Sequence, residues 1–73
     1  MNFAQIDTIA ELTASYTRRD RMFDALESIH SYCKEQLIDE YDINQLQLKI
    51  DHMRDEILNA CEKEVEVIRL ANS

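Results

Sequence analysis

This sequence predicts an all-α fold, a helical hairpin forming one small domain over residues 1–73 that is completed by association with another chain. Three observations predict it. There is no glycine and no proline in 73 residues, so the tight and left-handed turns that phosphate loops, oxyanion turns and β-bulges need are hard to build. A long apolar stripe at helical spacing fills the second half. A run of acids, Asp39-Glu40-Tyr41-Asp42, separates it from the stripes of the first half.

The first half admits two readings. Ile6, Ile9, Leu12 and Tyr16 form one stripe, and Phe23, Leu26, Ile29, Cys33 and Leu37 form another. Between them Thr17-Arg18-Arg19-Asp20-Arg21 puts charge where the stripe should continue. Thr17 and Asp20 have the spacing of a capping box, which predicts a hairpin helix over about 17–38 preceded by a short extra N-terminal helix. The alternative is one long helix with a charged layer.

The acid run 39–42 is the strongest turn candidate, rich in residues that cap helices and repel one another. Beyond it, Ile43, Leu46, Ile50, Met53, Ile57, Cys61, Val65 and Ile68 recur at steps of three and four, the α-helical signature. Asp42 with Gln45 gives a capping-box pattern, Tyr41 and Leu46 occupy the two staple positions, and Arg69 suits the C-terminal end of the dipole. A helix over about 42–70 follows. Leu48, Leu58, Val67 and Leu70 lie off this stripe and widen it. A hairpin has one buried seam, so the surplus apolar surface predicts a homodimer or heterodimer.

Fifteen acids against eight bases give a formal charge of −7. Binding to nucleic acid is driven by cationic contacts to phosphate, and anionic membranes make the same demand, so neither is expected as a direct partner. A basic protein surface is what this charge attracts. The N-terminus carries Asp7 and Glu11 and no basic, apolar leader pattern, no stretch approaches the ~20 apolar residues of a membrane span, and two cysteines without a secretion signal point to a reducing cytoplasm.

Catalytic and metal chemistry find little footing. His30 and Cys33, at i and i+3, make half of a zinc site, but structural zinc takes four ligands and no second pair stands at a closing spacing. No cofactor or metal is expected. In a straight hairpin turning near residue 40, Cys33 lies opposite about residue 48, leaving Cys61 ~20 Å away at ~1.5 Å per residue. A disulfide needs Cα atoms within ~7 Å, so none is expected between them. Asp51, His52, Asp55 and Glu56 form an acid and imidazole cluster, yet acid–base catalysis needs a pocket that a helix surface does not offer. The expectation is a non-enzymatic protein. Arg18, Arg19 and Arg21 form the one basic cluster, able to add a contact to DNA that a partner has brought near, and otherwise pairing with acids such as Asp24.

Arg18-Arg19, Asp24-Ala25-Leu26-Glu27, Leu37 with Asp39, and Asp51-His52 with Glu56-Ile57 make residues 18–57 resemble the Hha/YmoA family of small expression modulators. The resemblance implies a helical protein that does not read DNA by itself and docks acidic side chains on arginines of the nucleoid protein H-NS. Asp24, Glu27 and Asp51 match that acidic set by position, and Glu56 belongs to the same Asp-His-x-x-x-Glu element. A second resemblance rests on Asn44-Gln45-Leu46-Gln47 after a polar turn, which is similar to the small hairpin co-chaperones of type III secretion needles. The function expected is a protein-binding regulator that sets an acidic helical face on a basic partner, Hha-like in action. The alternatives are the secretion co-chaperone and a phage-type acidic inhibitor that mimics DNA.

Overall fold

The computed structural model describes residues 1–72 and contains two helices, α1 over Phe3–Gln36 and α2 over Glu40–Ala71. They pack as an antiparallel hairpin, and the described residues form no strand. The all-α hairpin expected from the sequence is what the structure shows. It is slender, with Cα extents of 56 × 17 × 9 Å, a single layer of two helices side by side.

α1 is one continuous helix of 34 residues, so the separate N-terminal helix is not formed and the first hairpin helix begins at Phe3 rather than near residue 17. With no Gly or Pro in the segment, only charge and the Thr17–Asp20 capping-box spacing argued for a break there. That charge is accommodated at the rim: Arg18 reaches across to Glu64 on α2, and Arg19 lies over the Tyr16 ring, 5.1 Å from its centroid, while binding Asp20 Oδ1 at 2.9 Å. The true start is Asn2, whose Oδ1 accepts the Gln5 N–H at 2.9 Å while Gln5 Oε1 accepts the Asn2 N–H at 2.9 Å. This reciprocal capping box satisfies two of the orphan donors of the first turn. Thr8 and Ser28 return their hydroxyls to the carbonyls of Ala4 and Asp24, so neither breaks the helix.

The chain leaves α1 through Leu37, extended at φ −97° and ψ 138°, and Ile38, then re-enters helix at Glu40 after the extended Asp39. This connection is earlier than the acid run suggested. The cap of α2 is Asp39, not Asp42, and its Oδ1 accepts the Tyr41 N–H at 2.7 Å. Glu40 and Asp42 thereby fall in the first turn, where unpaired N–H groups favour negative charge over the mutual repulsion of the acids. α2 ends at Asn72, whose N–H donates to the Arg69 carbonyl and whose Nδ2 donates to the Ile68 carbonyl at 2.7 Å.

The two helices contribute unequally to the seam. On α2 all eight stripe residues from Ile43 to Ile68 are buried or half-buried, with Ile50, Cys61 and Val65 innermost. α1 instead mixes Leu12, Phe23, Leu26 and Cys33 with Thr8, Ser15, Arg19 and His30, and leaves Ile6, Ile9 and Ile29 about half exposed. Ser15 faces Cys61, Oγ to Sγ 3.7 Å. Stepping the same distance toward the turn on each helix brings Leu26 level with Ile50, the two most buried large apolar residues, and Cys33 level with Ile43. Cys61 is therefore far from Cys33 along the seam, and both thiols are free.

Candidate functional site

All fifteen carboxylate side chains lie on exposed residues. Among the described residues three of them hold a basic partner: Glu64 with Arg18, Asp20 with Arg19, and Glu56 with His52 at 2.8 Å. The remaining acids project into solvent, with Gln47 Nε2 donating to Asp51 Oδ1 at 2.9 Å.

Two shallow grooves run along the seam, one on each long edge of the hairpin. One, of about 410 Å³, is lined by Tyr16 and Arg19 from α1 and by Leu58, Glu62, Val65 and Arg69 from α2. The other is lined by Arg18 and Met22 from α1 and by Ile57, Ala60 and Glu64 from α2. Helical phase distributes the acids between these edges. Asp51, seven residues before Leu58, lies on the Tyr16–Leu58 edge, and Glu27, eleven residues after Tyr16, lies on the same edge, since seven and eleven residues return a helix nearly to one face. The seam register puts Asp51 level with the Asp24–Glu27 stretch. Asp24 sits further round α1, sharing a shallow depression with Glu27, Ser28 and Ser31. Glu56 lies on the opposite side of α2 from Asp51, bonded to His52. Glu27 and Asp51 are thus the pair of the expected acidic set that flank one edge.

The three arginines do not form one patch. Arg18 engages Glu64 on the Met22 edge. Arg19 is drawn toward the other edge by Tyr16, and its hydrogen bond to Asp20, helped by that carboxylate's charge, raises its pKa above the ordinary arginine value against a small desolvation. Arg21 is exposed on the outside of α1.

His30 and Cys33 are half-buried in the seam, and among the described residues no three His, Cys, Asp or Glu side chains are grouped as a metal ion would require. No described helix is long and apolar enough to cross a membrane. Of the groove residues, Arg19 was expected only as part of a basic cluster, and Tyr16 and Leu58 were not marked as a site by sequence reasoning. The signal that could have found them was Leu58 standing one step off the α2 stripe.

Comparison with protein-family models, curated proteins and solved structures finds no match to this chain.

Proposed function

We propose that this chain is a non-enzymatic protein-binding regulator that sets an acidic edge of its hairpin against a basic partner. The observation that carries this reading is the exposure of all fifteen carboxylates, of which three hold a basic partner among the described residues. Unpaired surface charge does little for the stability of a hairpin but speeds encounter with an oppositely charged surface and fixes register. Glu27 and Asp51, one from each helix at the same level, supply the centre of the contact, with Asp24 at its margin. The Hha-like resemblance points to the same residues and to the oligomerising domain of an H-NS-type protein as the partner. The hydrogen-bonded His52 and Glu56 are about two-thirds exposed, and acid–base catalysis needs a pocket that such an exposed site does not offer.

A second reading, the secretion co-chaperone, is favoured by a different observation. Large apolar side chains such as Phe3, Tyr32, Leu48 and Val67 are exposed by 62% or more, and a larger helical partner would cover them.

Calorimetric titration against an H-NS oligomerising domain tests the first reading. Glu27→Ala and Asp51→Ala should each weaken binding by about 2 kcal/mol or more, the scale for truncating one member of a desolvated charge pair, with helicity unchanged. Raising salt should weaken the wild-type complex, since screening acts within ~8–10 Å. Unaltered binding by both variants removes the acidic-edge reading. A complex insensitive to salt and abolished by Leu48→Ala supports the co-chaperone reading instead.

A further inference from the structure

The edge opposite Glu27 and Asp51 carries a pattern that is complementary to itself. Met22 and Ala60 line its groove. Seven residues after Met22 comes Ile29, and seven and fourteen before Ala60 come Met53 and Leu46, so helical phase brings all of them to the same edge. Met22 and Ile29 are 53% and 50% exposed. Between the apolar residues of α2 stand Lys49 and Glu56, themselves seven apart and both exposed. The edge therefore reads Leu46, Lys49, Met53, Glu56, Ala60: large, basic, apolar, acidic, small.

Reversing that order about Met53 returns a matching surface. Leu46 meets Ala60 of the second copy, large against small; Lys49 falls opposite Ile57, one helical step of ~1.5 Å from Glu56 of the second copy; and Met53 meets its own equivalent. α1 gives the same symmetry independently, because reversal about residues 25 and 26 sets Met22 against Ile29 of the second copy. The Ser15–Cys61 contact fixes how the two helices are aligned: Met53 is level with residue 23, between two and three residues from the centre found on α1, or about 4 Å at ~1.5 Å per residue. One two-fold axis thus serves both helices.

We propose that two copies of this chain pack face to face through the Met22–Met53 edge, as an antiparallel four-helix bundle with α1 over α1 and α2 over α2. Such an isologous contact is the form that a two-fold dimer takes. The face measures 56 by 17 Å, which has room for the ~800 Å² per partner of a stable interface. Glu56 Oε1 is bonded to His52, leaving Oε2 for Lys49 of the second copy. The Glu27–Asp51 edge stays outside the bundle, so self-association and the acidic contact occupy opposite edges and stand or fall separately.

Sedimentation equilibrium of the whole chain over a micromolar concentration series is the test. The wild type should run at twice its 8.6 kDa. Lys49→Glu places an acid beside Glu56 of the second copy and should raise the dimer dissociation constant at least tenfold, while the charge swap Lys49→Glu with Glu56→Lys should return it to within about threefold of wild type. Both positions are exposed, and circular dichroism checks that helicity is kept. A wild type that stays monomeric overturns the proposal. So does a dimer that Lys49→Glu leaves unchanged, or one that the swap fails to restore, because the copies would then meet on another face.

Discussion

Ser15 and Cys61 meet across the seam, Oγ to Sγ 3.7 Å, with Cys61 Sγ also 3.9 Å from the Ser15 carbonyl oxygen. When the thiol donates to that carbonyl, the hydroxyl donates to sulfur, so the buried polar atoms satisfy one another. Both side chains are small and buried, next to the charged stretch 17–21 of α1. Replacing Ser15 by Leu should overpack this layer and cost about 1–3 kcal/mol, whereas Ser15→Ala should stay within about 1 kcal/mol because the sulfur contact is weak. Urea unfolding followed by circular dichroism measures both.

Leu26 and Ile50, level with each other along the seam, are the two most buried large apolar residues. Ile50 is 2% exposed and Leu26 3%, so Ile50→Ala should cost about 2–5 kcal/mol. Asp55→Ala, on the outer side of α2, should change stability by no more than about 0.5 kcal/mol. The half-buried Ile57 should fall between them. Thermal melts of the three variants give the order, and a similar loss at all three would mean the helix phase is misassigned.

The start of α2 can be tested by its cap. Asp39→Ala removes the acceptor of the Tyr41 N–H and should cost about 0.5–2 kcal/mol. Asp42→Ala loses only a favourable charge near the helix N-terminus, about 0.3–1 kcal/mol. Equal or reversed losses in chemical denaturation would move the cap to residue 42.

Thiol labelling distinguishes the two cysteines. Cys33 is half-buried and Cys61 is 8% exposed, so a chromogenic disulfide reagent should modify Cys33 first. Cys61 should react only as the hairpin opens. Mass mapping of the first modified species checks the order, and Ile50→Ala should accelerate the slower reaction by raising the population of opened molecules.

The sequence made α2 the clearer helix because its apolar stripe is also its buried stripe, from Ile43 to Ile68. α1 was harder to read for a physical reason. Its seam is made partly of Ser15, Arg19 and His30, which composition rules assign to the surface, while Ile6, Ile9 and Ile29 are about half exposed. The charge at 17–21 looked like a break because the partner of Arg18, Glu64, lies 46 residues away. Likewise the acids at 39–42 looked like a turn when considered for their mutual repulsion, and a helix start once the orphan amides of α2 are counted. The placement of Glu27 and Asp51 on one edge needed the register of the hairpin, which no local pattern encodes.

The short connection between the helices has a kinetic consequence. Chain closure becomes more costly with loop length, by about 0.6 kcal/mol for each doubling, and the Leu26–Ile50 layer closes a loop roughly half as long as the Ser15–Cys61 layer. Assembly should therefore run from the connection outward, like a zip, with the Leu26–Ile50 layer locking before the Ser15–Cys61 layer. The layer bearing Ser15, Arg18 and Arg19 closes later and parts earlier. The hairpin thus loosens from the end where its chain termini lie, while the end that joins the helices keeps their register and guides reclosure.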